Sequence, residues 1–309
     1  MFWKGAEYKM RTDIIDIGTA MISYKIIGSG IVDVVVEMGL GSCIAEWQKL
    51  AGAIAQKGHT VLLYERAGCG YSTPSRLKRT PENIVKELHC VLDKLETTKK
   101  ITIIAHSQGG LYSQVFARLY TDRVERLILL DPLSANDNKF KELLTADEYR
   151  KSGVDKFASL GIQRTMAKLH LGFVIKKIMK NAPPFYYYRD FTNEEEKYIL
   201  STLVKPTVYE TAMQEYQLSH DENVIQNYKN KKDFPDIEII LITHSSDFCI
   251  KETMEFGGAT REVAEKVENI WQDIMKEYLQ FSKKAKFLQA KECGHYIHLM
   301  CPELVIEQI

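Results

Sequence analysis

The segment of this 309-residue chain best suited to chemistry is Ala105-His106-Ser107-Gln108-Gly109-Gly110. A serine hydroxyl is a poor nucleophile until a base takes its proton, and that base needs an acid to fix its tautomer. A serine raised on a tight strand-to-helix turn also needs small residues two before and two after it, and Ala105 and Gly109 supply them. The base is expected after the last strand, in Cys293-Gly294-His295-Tyr296-Ile297-His298, and the reading favours His295. His298 reads as a structural neighbour, because no third ligand makes the pair a metal site. His106 flanks the serine but points away from it, which suits packing better than proton transfer.

Two aspartates compete for the role of acid, each following a strand. Asp247, in Thr243-His244-Ser245-Ser246-Asp247, is preferred as the shorter reach to the histidine loop; Asp131 is the alternative. The chain order Ser, Asp, His fits either. Oxyanion stabilisation needs backbone N–H groups already aimed at the developing charge. Gln108, directly after the serine, and Leu40, in Gly39-Leu40-Gly41, are the expected donors.

Ordered elements must position these groups. Asp13–Ile17 and Met21–Ile27 read as strands, with Gly28-Ser29-Gly30 as a hairpin turn after the second. Val32–Glu37, Thr60–Tyr64, Ile101–Ala105, Val124–Leu130, Ile237–Thr243 and Lys286–Ala290 are further short apolar runs. Val32–Glu37 is apolar on nearly both faces, as a strand covered on both sides would be. Helical stripes lie between them: Trp47, Leu50 and Ile54, stopped by Gly58; Ile84, Leu88, Val91 and Leu95, opened by Thr80-Pro81; Leu111, Val115 and Leu119; and Val263 to Tyr278. A short helix follows Pro302. The alternation predicts an α/β fold with a mostly parallel, doubly wound sheet.

That rhythm stops between Ser134 and Phe234, a stretch rich in Lys, Glu and Tyr with no convincing strand. Thr192-Asn193-Glu194-Glu195 and Thr207-Val208-Tyr209-Glu210 both have capping-box spacing. The expected organisation is therefore a core from 1–134 and 234–309 with a helical cap over 135–233. Within the cap, Tyr186 and Tyr187 of the aromatic run 185–188 are candidates for a substrate wall, or equally for a packing anchor.

Composition limits the partners. Lys+Arg and Asp+Glu both number 41, so there is no excess positive charge to attract nucleic acid or anionic lipid. Six dispersed cysteines without a C-x-x-C pair argue against zinc knuckles and dithiol redox chemistry, and read as reduced thiols in the cytoplasm. Cys43 and Cys69 lie near the expected site, yet nothing marks either as activated. Met1–Arg11 has no continuous apolar stretch, so no signal peptide is expected, and no apolar run reaches membrane-spanning length.

Taken together, Glu37–Ser42 (E-M-G-L-G-S), Tyr64–Ser72 (Y-E-R-A-G-C-G-Y-S), Ala105–Gly110, Thr243–Asp247 and Gly294–His298 resemble the α/β-hydrolase superfamily over nearly the whole chain. Met38-Gly39 stands where many members have His-Gly, and Glu65-Arg66 where many have Asp-Arg. The resemblance implies a helical cap between the sixth and seventh strands, where Ser134–Phe234 falls. A serine at the nucleophile position argues against epoxide hydrolases and haloalkane dehalogenases, which use aspartate. What it implies is a carboxylesterase-like serine hydrolase of a small-molecule acyl substrate, needing no metal or organic cofactor. The same fold also serves as a small-molecule receptor with slow turnover, or as an acyltransferase.

Overall fold

The computed structural model describes residues 10–230 and 234–309. The N-terminal nine residues, and the expected cap boundary at 233, fall outside that range. Eight strands form one sheet: β1 (Asp13–Asp16), β2 (Met21–Ile27), β3 (Val34–Glu37), β4 (Val61–Tyr64), β5 (Ile101–His106), β6 (Val124–Leu130), β7 (Glu238–Thr243) and β8 (Ala285–Gln289). Their order is β1-β2-β4-β3-β5-β6-β7-β8. β1–β2 and β2–β4 pair antiparallel, and every pair from β4 to β8 is parallel.

Side chains alternate across a strand, so each central strand feeds two cores. Val35, Leu62, Ile103, Leu127, Leu129 and Leu241 pack on one face with Leu88, Leu111, Val115 and Ile274. Val34, Val36, Leu63, Ile104, Ile128 and Ile240 pack on the other with Leu50, Ile54 and Val305. The helices Pro81–Lys94, Gln108–Leu119 and Arg261–Tyr278 thus cover one face, while Gln48–Gln56 and the C-terminal Pro302–Ile306 cover the other. Such two-sided cover is what lets β3 and β4 be buried along their whole length.

Two expectations need correction. Gly28-Ser29-Gly30 is not a hairpin turn: β2 pairs with β1 and β4, and the chain crosses beyond β4 to reach β3. Gly28 lies at φ 122°, and a Cβ there would sit 2.5 Å from the His59 carbonyl, so the position needs glycine for a close backbone crossing. Nor does Thr207 cap a helix. The helix begins one residue earlier, at Pro206, whose fixed φ suits a first turn, with Lys205 extended before it. Thr192 does cap its helix, with Glu195 closing the box.

Between β6 and β7 the regular elements are helical among the described residues, from Lys139–Leu143 to Glu222–Ile225. The longer ones are Phe157–Lys168, Gly172–Met179, Asn193–Thr202 and Pro206–Ser219. Ala167, Ile175, Met179, Phe185, Ile199 and Tyr209 form a third apolar cluster, which includes Cys43 and Ala45 from the segment after β3. The inserted helices are therefore packed onto the loop that carries Leu40. No helix among the described residues is long and apolar enough to cross a membrane.

Candidate active site

The chain reverses direction across the sheet at β3, which lies between β4 and β5. Open α/β sheets bind ligands at such a switch point, beyond the carboxyl ends of the strands. The segments expected to carry chemistry emerge there or on the neighbouring strands. Ser107 is the first residue after β5, Asp131 the first after β6 and His244 the first after β7.

Ser107 sits at φ 51°, ψ −122°, a region that side chains rarely occupy. The turn is held by the Ser107 N–H donating to the Leu130 carbonyl and by the Gly110 and Leu133 N–H groups donating to the Ser107 carbonyl. Its small neighbours are required: a Cβ at Gly109 would lie 2.1 Å from the Glu37 carbonyl oxygen, and one at Gly110 would lie 2.1 Å from Pro132 Cβ. Gly39 presses on the same turn, since a Cβ there would come within 3.5 Å of Ser107 Cβ. The Gln108 and Leu40 amides flank the serine from the two sides of this contact, and neither donates to another group among the described residues.

His295 Nδ1 donates to Asp131 Oδ2 at 3.1 Å, with its side chain 37% exposed and the aspartate fully buried. Asp131, rather than the preferred Asp247, is thus the carboxylate against the histidine. Asp247 is exposed in the first turn of the helix Ser246–Gly257. The reason is positional. A carboxylate directly after a strand points up beside its neighbours, whereas four residues past β7 the chain has already turned into a helix. Asp131 is also a non-glycine residue at positive φ, 45°, as is Ser107. Burial alone would raise the Asp131 carboxyl, but His244 and then His295 outweigh it and hold it well below the usual range.

The flanking rings are structural, as the sequence suggests. His106 Nε2 donates to the His295 carbonyl at 2.9 Å, and burial beside His295 pulls its pKa down to about 3, so it braces the His295 backbone as a neutral ring. His298 stacks on Trp47 at 3.7 Å between ring centroids. Cys43 and Cys69 are buried thiols whose pKa values burial raises, Cys69 to about 12, which leaves both unreactive. Tyr187 stacks on Tyr296 at 4.7 Å, directly beside His295, whereas Tyr186 packs edge-on against Phe256. Neither lines the cavity of about 130 Å³ beside the Leu40–Ser42 loop; Leu40, Glu46, Ile199, Leu203, Val208 and Tyr296 are among the residues that do.

Sequence reasoning missed a buried charge network beneath the Gly39-Leu40 loop. Arg66 donates to the Met38 carbonyl at 2.5 Å, the Gly39 carbonyl at 3.0 Å, Glu37 Oε1 at 2.8 Å and Glu215 Oε2 at 3.0 Å. Arg79 joins Glu215 to Glu87. Burial alone would raise Glu215, but Arg66 and Arg79 overcome it and keep the carboxyl below its ordinary range. The E-R pair at Glu65-Arg66 was visible in sequence, but its partner lies 149 residues away. Arg66→Met is expected to leave Glu37 without a cationic partner and Glu215 with Arg79 alone, at a cost of about 3–5 kcal/mol in urea unfolding. A loss below about 1 kcal/mol would show that the network is dispensable.

The sheet order and the segments at its strand ends give the chain the α/β-hydrolase fold. A family model described as alpha/beta hydrolase fold matches residues 34–163. The chain is 29% identical to uncharacterized protein YqjL of Bacillus subtilis strain 168 over 141 residues, 46% of this chain and 54% of that protein, so it matches only about half of that relative's length. An AB hydrolase superfamily protein of Gibberella zeae is 21% identical over 81% of this chain and 76% of its own length. Among solved structures, MGS-M2, an alpha/beta hydrolase enzyme from a Medee basin deep-sea metagenome library, superposes with a TM-score of 0.63 at 16% identity, covering 96% of this chain and 95% of that one.

Proposed function

We propose that the chain is a serine hydrolase acting on carboxylic esters or related acyl bonds through a Ser107–His295–Asp131 triad. The observation that carries this reading is the buried Asp131 carboxylate bonded to His295 Nδ1, next to a serine on a strained turn. That bond fixes the Nδ1–H tautomer and leaves Nε2 with a lone pair to act as base. Ser107 Oγ attacks the acyl carbonyl as His295 takes its proton. The amides of Leu40 and Gln108 receive the oxyanion, with the Leu40 loop held from below by Arg66 on the Met38 and Gly39 carbonyls. His295 then protonates the leaving group, and water, deprotonated by the same imidazole, releases the acid.

The inserted helices act as a cap over 135–233 that shapes the acyl pocket, since the cavity walls come partly from Ile199, Leu203 and Val208. Asp247 has no part in this reading. A fluorophosphonate should label Ser107 stoichiometrically, and a short-chain aryl ester should be turned over. A protein that takes the label but turns over no ester, thioester or amide would be a receptor rather than a hydrolase.

A further inference from the structure

Asp131 has a second imidazole partner that the triad does not use. His244, the first residue after β7, donates its backbone N–H to Asp131 Oδ1 at 2.8 Å and its Nδ1–H to Asp131 Oδ2 at 2.6 Å. Its Nε2 lies 2.9 Å from Glu268 Oε2, on the helix Arg261–Tyr278. Both ring nitrogens therefore face carboxylates, and only a doubly protonated imidazolium can donate to both. Gln272 holds the other Glu268 oxygen at 2.7 Å, and the Trp271 ring lies 4.0 Å from the His244 ring. From the helix Ser246–Gly257, Cys249 bonds to the His244 ring, and Glu252 also acts on it electrostatically. Burial lowers the His244 pKa, but Asp131 and Glu268 reverse this and raise it well above the ordinary value.

We propose that His244, tied back to Glu268, is a positioning residue for the triad: it fixes both oxygens of Asp131 and tempers the charge that His295 feels. The inference rests on the serine-hydrolase reading for its functional meaning. With His244 cationic, the Asp131–His244–Glu268 group presents one net negative charge to His295 rather than two. The groups facing His295 are Asp131, Glu252 and the rings of His106 and His298. None of these is a cation that could replace His244.

The test is a ¹⁵N NMR titration of the imidazoles in the full chain, which requires no turnover. In the wild type, His244 should be doubly protonated at pH 7. Glu268→Gln should lower its titration midpoint by at least one pH unit. His244→Asn keeps a donor near Asp131 but removes the charge, and should raise the His295 midpoint by about one unit. The ascending limb of the kcat/KM profile should move by the same amount. A neutral His244 at pH 7, or a His295 midpoint unmoved in a folded His244→Asn variant, overturns the proposal. Absence of ester turnover in the wild type would instead count against the hydrolase reading, while the two midpoints would still decide the state of the relay. If His244→Asn does not fold, Glu268→Gln alone decides whether the cation is held as described.

A separate observation concerns the cavity. Glu46 is its one carboxyl among the described lining residues, and no Lys, Arg or His lines it. The side chain is 5% exposed and accepts the Cys43 N–H at 3.0 Å. The titratable groups around it are Glu65, Cys43 and Tyr296, which supply no positive charge. An ionised carboxylate in an apolar hollow needs a cation. Burial pushes Glu46 up to about 7 in its absence.

We infer that the cavity takes the ammonium end of an alkyl ligand, which Glu46 neutralises. Calorimetric titration with hexylammonium and with 1-hexanol measures this without any catalytic step. The ammonium should bind at least tenfold more tightly than the alcohol, and Glu46→Gln should erase the difference. Equal binding of the two probes by the wild type, or a difference that survives the substitution, removes the assignment. Loss of ester turnover would bear only on the hydrolase reading.

Discussion

Replacing Ser107 with alanine is expected to lower kcat for a short-chain aryl ester by about 10⁴- to 10⁶-fold, because members of a triad act as a unit and losing the nucleophile removes nearly all of its effect. The backbone of the turn should survive. Its strain is held by hydrogen bonds from Gly110 and Leu133 to the Ser107 carbonyl and by the close approach of Gly39, none of which involves Oγ. Labelling by a fluorophosphonate should disappear in parallel, while the unfolding midpoint stays near the wild-type value. A folded variant with wild-type turnover would place the nucleophile elsewhere.

The second large effect separates two aspartates. Asp131→Asn should reduce kcat by about 10⁴-fold, since an amide in place of the carboxylate favours the wrong tautomer of His295 and no longer stabilises its imidazolium. Asp247→Asn should stay within about twofold, because Asp247 is exposed on a helix and away from the triad. Asp131 also carries the buried His244 contact, so its variant will lose stability. The rate must therefore be compared well below the unfolding transition. Equal and small losses at both positions would remove Asp131 from the mechanism.

The sequence made the sheet legible because strands covered on both faces are written as β-branched runs, and β2 and β6 match the expected limits. Ser107 and His295 stand out as candidates because each sits in a short motif whose neighbours have a steric reason to be small. The acid was misjudged because both aspartates follow strands, and distance along the chain to the histidine loop was the wrong measure. Offset from the strand end is the better one: Ser107, Asp131 and His244 share an offset of one residue, and Asp247 does not. The link from Arg66 to Glu215, and that from His244 to Glu268, could not be read in advance. A buried ion pair leaves no periodic pattern, and its partners are set by the packing of elements far apart in sequence.

Arg66 has a mechanical consequence as well. One guanidinium grips the Met38 and Gly39 carbonyls below Leu40 and, through Glu215, the helix Pro206–Ser219. Swinging that helix outward would strip a buried carboxylate from two arginines at once, so it serves as a fixed post rather than a door. Any opening that admits a substrate then falls to the outer pair, Phe157–Lys168 and Gly172–Met179. There Ile162, Phe173 and Ile178 stand 63%, 74% and 52% exposed, while Ala167, Ile175 and Met179 on the opposite faces are buried in the third apolar cluster, so only the outer faces of the pair are free. The loop that carries Leu40 is thus pinned from below and held apart from whatever those outer faces do.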